Sequence, residues 1–254
     1  MTRSLYAATS GMLTKQRQLD VIGANIANAR TAGYKKDVSL TETFPEVLAT
    51  RLPQGKGGPI VRGLGTAYYG AYIKETRTAF EQGPTVETER DLDFCIEGNG
   101  FFVLEPDDGQ IGTRMTRNGQ FDIDEDGMLV TAMGERVLGV DGSPLYVRGE
   151  GALFADNVGN IWRGDSYVGT LGIFVPPNYA NIEKQGHNVF TTDATQSEDV
   201  TCGIYNFAYE DSNVNVSDEM ISMIAATRAF QTSAQMVKMS DALLARSVEE
   251  IARR

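Results

Sequence analysis

The sequence has little of what enzymes and ligand-binding proteins usually require. It has two cysteines, Cys95 and Cys202, far apart and in no metal or redox spacing, so both are read as free thiols filling small apolar sites. Its one histidine, His187, lies in the loop-like run Gln185-Gly186-His187-Asn188, with no neighbouring cysteine or acidic cluster to make it a metal ligand or triad member. No glycine-rich run ends in Gly-Lys-Ser/Thr, which excludes a phosphate-binding loop. Gly98-Asn99-Gly100-Phe101-Phe102 resembles half a dinucleotide fingerprint, but no helical pattern follows it. No two carboxylates share an apolar setting, so a hydrolase built on paired acids is disfavoured. Positive charge is short too. With 23 Lys and Arg against 34 Asp and Glu, the net charge of −11 argues against nucleic-acid binding, which needs a basic surface. No stretch approaches the roughly 18 apolar residues of a membrane span. No apolar run of the signal-peptide kind follows Arg3, which predicts a chain that is either cytoplasmic or exported without cleavage. No cofactor and no small-molecule substrate is implied.

What is present is a heptad repeat at each end. Leu5, Met12, Leu19 and Ile26 recur at intervals of seven, with Ala8, Ile22 and Ala29 three residues after members of that series and Lys15 as the exception. This is the seam of a coiled-coil-like helix. It stops at Asn28-Ala29-Arg30-Thr31-Ala32-Gly33, where Gly33 is expected to supply a left-handed cap. The far end is more regular. Val216, Met223, Phe230, Val237, Leu244 and Ile251 continue the sevens, interleaved by Met220, Thr227, Ala234, Asp241 and Val248. Asn215 or Ser217 can cap its start, with Asp218 and Glu219 suited to the positive helix end. Ile221, Ile224, Met236, Met239 and Leu243 widen the apolar stripe beyond one seam, and such a helix needs several neighbours. Burying a Leu- or Phe-sized side chain is worth about 1.5–3 kcal/mol, so this seam represents on the order of 10 kcal/mol. The shorter first helix cannot cover it all, which predicts burial between subunits.

The middle has a different texture. Turn signals at Asp108-Gly109, Asn118-Gly119, Asp126-Gly127, Asp141-Gly142 and Val158-Gly159-Asn160 separate short runs such as Phe101 to Leu104, Gln120 to Ile123, Met128 to Thr131, Arg136 to Val140 and Leu171 to Val175. That spacing reads as β hairpins. The expected fold is therefore α+β, with discontinuous N- and C-terminal coiled-coil-like helices enclosing a β-rich middle domain. Residues 1–36 and 213–254 form the terminal helical assembly domain. Residues 37–84 and 185–212 are connecting extended or β segments, with a flexible Gly/Pro-rich loop at 53–65. Residues 85–184 make the central β domain. Charge follows the same division. Residues 1–36 hold six basic groups and one acid, residues 216–254 hold five of each sign, and the middle carries the acidic excess.

One segment invites a metal. Asp122-Ile123-Asp124-Glu125-Asp126-Gly127 matches the first half of a calcium-binding EF-hand loop, with Asp122, Asp124 and Asp126 as ligands. The position that needs a bidentate Glu is Met133, and no helical pattern flanks the run. The competing reading is a hairpin with Phe121 and Ile123 inward. A calcium-dependent extracellular or adhesive β module is thus the alternative function.

Four stretches together resemble the bacterial flagellar rod and hook family of axial proteins. The first runs from Leu19-Asp20-Val21-Ile22-Gly23-Ala24-Asn25-Ile26-Ala27-Asn28 to Thr31-Ala32-Gly33-Tyr34-Lys35. The second runs from Phe80-Glu81-Gln82-Gly83-Pro84 to Ile96-Glu97-Gly98-Asn99-Gly100-Phe101-Phe102. The third is Thr116-Arg117-Asn118-Gly119-Gln120-Phe121, continuing to Leu129-Val130-Thr131. The fourth is Ser212-Asn213-Val214-Asn215-Val216, then Glu219-Met220, Met223-Ile224 and Arg228-Ala229-Phe230. Gly23 and Cys95 stand where relatives commonly have Ala. The resemblance implies a basal-body rod subunit in the cell envelope, exported by the flagellar type III apparatus without a cleaved signal. Its implied partners are itself and other rod or hook axial proteins. It marks Asn25, Asn28, Gly33, Tyr34, Ser212, Asn213, Asn215 and Arg228 as motif residues. Leu5, Met12, Leu19, Ile22, Ile26, Val216, Met220, Met223, Phe230, Val237, Leu244 and Ile251 are the candidate assembly surface. Proximal and distal rod positions both stay open.

Overall fold

The computed structural model describes residues 2–45, 47–51, 62–67, 69–106, 112–147, 149, 151–194 and 202–253. A long helix comes first, α1 (Thr2–Ala27), then strands β1 (Asp37–Thr43), β2 (Val47–Arg51), β3 (Arg62–Ala67) and β4 (Ala71–Thr78). Next come β5 (Thr85–Glu87), β6 (Phe94–Glu97), β7 (Phe101–Leu104), β8 (Thr113–Thr116), β9 (Phe121–Ile123) and β10 (Leu129–Thr131). The strands β11 (Leu153–Ala155), β12 (Asn160–Arg163), β13 (Ser166–Thr170) and β14 (Ile173–Phe174) follow. The last strands are β15 (Ile182–Gly186), β16 (Val189–Thr192), β17 (Gly203–Asn206) and β18 (Ala208–Glu210), and α2 (Val216–Ala252) ends the chain. Two helices flank a β-rich middle, so the fold is α+β. The chain forms two compact units: residues 1–26, 37–78 and 215–254, and residues 27–36 and 79–214.

In the helical unit, β1 and β4 form an antiparallel ribbon with a register shift at Leu40/Thr41, and β2 pairs with β3. Residues 62–65, assigned to a flexible loop on sequence, belong to β3 and pair with β2, while residues 53–61 of that loop lie outside the described residues. The reason is local: Arg62–Ala67 finds an antiparallel partner in Val47–Arg51, and a backbone ladder outweighs the glycines at 63 and 65. α1 rests on the ribbon through its small polar residues. Thr14 Oγ1 donates to the Ala71 carbonyl at 3.0 Å, and the Ala71 N–H donates to Ser10 Oγ at 3.4 Å. Asn25, fully buried, imitates a strand neighbour: its Nδ2 donates to the Asp37 carbonyl at 2.8 Å and its Oδ1 accepts from the Asp37 N–H at 3.0 Å. α2 begins at Asn215, whose Oδ1 accepts from the Ser217 N–H at 3.0 Å, with Asp218 and Glu219 in the first turn. Its 37 residues make it about 55 Å long.

The β unit is built on an antiparallel five-stranded sheet in the order β14-β7-β8-β16-β15. A three-stranded sheet β11-β12-β13 and the pairs β9–β10, β6–β17 and β5–β18 close around it. Successive residues of a strand face opposite sides, and β7 uses this with two adjacent aromatics. Phe102 joins the main core with Phe94, Ile96, Phe121, Leu129, Leu153, Ile161 and Ile204, while Phe101 joins a second cluster with Met115, Phe174 and Phe190. Burying both faces of the central sheet explains why its strands read as apolar runs rather than clean alternation. The run Arg136 to Val140 makes only isolated bridges, to Val130, Leu104, Pro144 and Leu171.

Candidate assembly surface and buried anchor

Two buried or half-buried series run along the terminal helices. On α1, Ile22 is buried, and Leu5, Met12, Leu19 and Ile26 are half-buried, while Tyr6 and Leu13 lie exposed. On α2 the sheltered stripe is Glu219, Met223, Ala226, Phe230, Ser233, Val237, Ser240, Leu244 and Ser247, in alternating steps of four and three. The large members are four of the expected seam residues. Their small companions, Ala226, Ser233, Ser240 and Ser247, come three residues after each large one, whereas the sequence reading interleaved Met220, Thr227, Ala234, Asp241 and Val248, of which Thr227 and Ala234 are half-buried and the other three exposed. Small residues allow a backbone to approach closely. A Cβ built on Gly11 of α1 would lie 3.6 Å from Ser233 Oγ, and Asn25 Nδ2 lies 3.5 Å from Glu219 Oε2. From the first pair to the second the chain runs forward on α1 and backward on α2, so the helices are antiparallel.

The inward choice of stripe leaves a large apolar face outside. Met220, Ile221, Ile224, Met236, Met239, Leu243, Val248 and Ile251 are all between 53% and 77% exposed, and Val216 is 41% exposed. Arg228 also lies on the exposed surface of α2.

The β unit contains a buried ionic triad. Glu210 Oε1 accepts from Lys35 Nζ at 2.5 Å and from the Gly83 N–H at 2.7 Å, and Glu210 Oε2 accepts from Arg117 Nη1 at 2.9 Å. All three charged residues are at most 3% exposed. Lys35 Nζ also donates to the Glu81 carbonyl at 2.8 Å, and the Arg117 guanidinium donates to the Ile96 and Gly98 carbonyls and sits 5.0 Å over the Phe101 ring. Arg117 Nε has no partner. Burial pushes the Lys35 ammonium below its ordinary range, opposed by the Glu210 carboxylate beside it. Burial likewise pushes the nearby Cys95 thiol up, and both cysteines are free.

The segment after α1 is locked around this triad. Gly33 adopts φ 68°, as a left-handed residue should, but it lies well past the end of α1 and does not cap it. It occupies a turn closed by the Tyr34 N–H to the Thr31 carbonyl at 3.1 Å, because the chain must reverse onto the β unit there. A Cβ on Gly33 would fall 2.3 Å from the Asn118 nitrogen. Its N–H donates to the Glu210 carbonyl at 2.7 Å. Asn28 Oδ1 accepts from Thr31 Oγ1 at 3.3 Å. The Tyr34 ring carries Lys184 Nζ 3.9 Å from its centroid, and Lys184 Nζ donates to the Lys35 carbonyl. Asn188 Nδ2 donates to the Ala32 carbonyl at 2.8 Å. Asn213 ties three strands of chain together: its Oδ1 accepts from the Lys36 N–H at 2.8 Å, and its Nδ2 donates to the carbonyls of Ala79 and Glu81. Ser212 Oγ accepts from the Val214 N–H.

Sequence reasoning marked Gly33 as a helix cap, and Gly33, Tyr34, Ser212 and Asn213 as motif residues of the family, and left Lys35, Arg117 and Glu210 out of the candidate set. The triad joins residues 175 and 93 positions apart, so no local pattern announces it.

The aspartates at 122–127 are accounted for by a hairpin. β9 pairs with β10, the Gly127 N–H donates to the Asp124 carbonyl, and Asp122 Oδ1 accepts from Arg90 at 2.7 Å. Asp124 Oδ1 accepts from the Glu125 N–H. Among the described residues no group of three or more His, Cys, Asp or Glu side chains could hold a metal ion, and the calcium alternative finds no support. His187 lies exposed in the β15–β16 turn.

These features define a class: an α+β chain whose two ends make one unit and whose middle folds as another. Family models match along its length. Residues 5–35 match "Flagella basal body rod protein", residues 95–187 match "Flagellar hook protein FlgE/F/G D1 domain", and residues 207–250 match "Flagellar basal body rod FlgEFG protein C-terminal". The flagellar basal-body rod protein FlgG of Bacillus subtilis (strain 168) is 32% identical over 262 residues, covering 96% of this chain and 97% of its own. The flagellar basal-body rod protein FlgF of Caulobacter vibrioides is 30% identical over 256 residues, covering 99% and 98%. FlgF of Mesorhizobium japonicum is 31% identical over 246 residues, covering 94% and 93%. The chain belongs to the flagellar basal-body rod protein family.

Proposed function

We propose that this chain is a structural subunit of the flagellar rod that polymerises through its terminal helices and transmits torque from motor to hook. The observation that supports it best is the apolar face of α2, whose eight large side chains stand more than half exposed. Their burial between subunits would contribute on the order of 10 kcal/mol. Of the residues marked on sequence, Val216, Met220 and Ile251 stand with the exposed face of α2, while Leu5, Met12, Leu19, Ile22 and Ile26 on α1 and Met223, Phe230, Val237 and Leu244 on α2 form the sheltered seam behind it. Long helices packed side by side along an axis resist twist because each seam residue interlocks with a neighbour. The partners are further copies, other rod and hook axial proteins, and the flagellar type III export apparatus, by which the chain reaches the cell envelope. Relatives named FlgG and FlgF match to a similar extent, so the proposal is for the rod as a whole.

Removal of residues 1–30 or 220–254 is expected to abolish assembly into rods, read by electron microscopy of basal bodies and by motility of the complemented deletion strain. Complete rods built from either truncated chain would rule the mechanism out.

A further inference from the structure

The β unit carries a second feature that the assembly reading does not use. β17 pairs with β6, β18 pairs with β5, and the single residue Phe207 joins β17 to β18. The change of partner bends the chain, and Phe207 takes φ 58° to make the corner. A bulky aromatic rarely adopts that conformation, whereas glycine adopts it without strain. The Thr88 N–H holds the corner by donating to the Phe207 carbonyl at 2.6 Å. The strain presents the Phe207 ring, 38% exposed, beside the half-exposed Tyr205 ring.

Both residues line a cavity of about 530 Å³, a volume ordinary for a ligand site. Glu87 and Glu97 line it as well, and no basic residue is among the described residues that do. Tyr205 donates its hydroxyl to Glu97 Oε2 at 2.7 Å, which fixes ring and carboxylate together. Asn206 turns its side chain to the other side of β17, where Nδ2 donates to the Leu153 carbonyl. Two aromatic side chains and two carboxylates complement one kind of group: a cation that is flat and rich in donors. Guanidinium meets both demands, since it stacks on rings and forks onto carboxylates, and ammonium meets them less well.

We propose that this cavity binds an arginine side chain presented by a partner polypeptide. Its volume exceeds that of one side chain, so flanking backbone enters with the arginine, and the acidic, lysine-free lining selects a basic segment.

The test is an NMR titration of the full chain with acetyl-Gly-Arg-Gly-amide and with the same peptide carrying citrulline, which keeps the shape and loses the charge. Saturable shifts of the Thr88, Tyr205 and Phe207 amides are expected with arginine, with affinity at least about tenfold weaker for citrulline and falling with salt. Phe207→Gly is expected to melt at or above the wild-type temperature and to lose about tenfold in arginine affinity, a combination that a purely structural Phe207 would not produce. The pair Glu87→Gln and Glu97→Gln is expected to show the same loss with an unchanged fold. Equal binding of citrulline, absence of saturable shifts at millimolar peptide, or full affinity in Phe207→Gly would overturn the proposal. Free arginine binding as tightly as the peptide would overturn its polypeptide source.

Discussion

Among the described residues, Glu210 is the one carboxylate paired with both Lys35 and Arg117, and this makes the triad asymmetric. Glu210→Ala leaves Lys35 and Arg117 buried without a counter-charge, and it should destabilise the β unit by about 3–5 kcal/mol in a denaturant melt. Replacing all three by apolar residues of similar volume should cost far less, because the desolvation penalty disappears along with the attraction. The lysine also sets a pH dependence. Its folded pKa lies below the usual value of 10.5 because burial outweighs the pull of Glu210. Between the lowered value and 10.5 the unfolded chain therefore holds the proton more firmly, and stability rises with pH across that window. Wild type should gain on Lys35→Met as pH climbs through that window toward 10.5, and parallel pH profiles in paired melts would contradict the assignment. Gly33→Ala meets two obstacles at once, a left-handed φ of 68° and the Asn118 backbone at 2.3 Å from the new Cβ. It should lose more than about 2 kcal/mol, checked by chemical denaturation.

At the scale of the element, α2 divides its apolar residues between two faces. The sheltered stripe alternates large residues (Met223, Phe230, Val237, Leu244) with small ones (Ala226, Ser233, Ser240, Ser247), and Gly11 of α1 comes within contact of Ser233. Ser233→Leu would force the helices apart and should raise the helical unit's susceptibility to proteolysis. The outer stripe behaves oppositely. Ile224→Glu together with Met239→Glu touches surface that is more than half exposed, so monomer stability should change by no more than about 0.5 kcal/mol per site. Rod assembly should nevertheless fail, seen as loss of motility with normal expression. A folded, exported variant that still swims would show that this face is not an interface.

At the scale of the molecule, the chain's ends and middle are separate compact units, and the β unit holds the aromatic and aliphatic core. The β unit keeps residues 27–36 as part of itself, through the triad, Asn188 and Asn213. A fragment of residues 27–214 should therefore fold with a dispersed NMR spectrum, while a fragment of 79–214 should be markedly weaker because Glu210 and Arg117 lose Lys35. Equal stability of the two would mean that the segment after α1 merely lies on the surface.

The sequence alone was enough to establish the two long helices, the β-rich middle and the family, because a period of seven, the turn dipeptides and the motif runs are local patterns that residues display in order. It was enough to point to Asn25, Gly33 and Asn213, though not to say why they matter. Which flank of the sevens on α2 turns inward was decided by the tertiary structure: Ala226, Ser233, Ser240 and Ser247 are sheltered, while Met220, Asp241 and Val248 are exposed. The tertiary structure also decided that Gly33 belongs to a turn on the β unit rather than to a helix cap. It alone brought Lys35, Arg117 and Glu210 together and set Phe207 at its corner. Buried charge pairs and strained corners depend on residues far apart in the chain, and their energies exist only once the low-dielectric interior that surrounds them has formed.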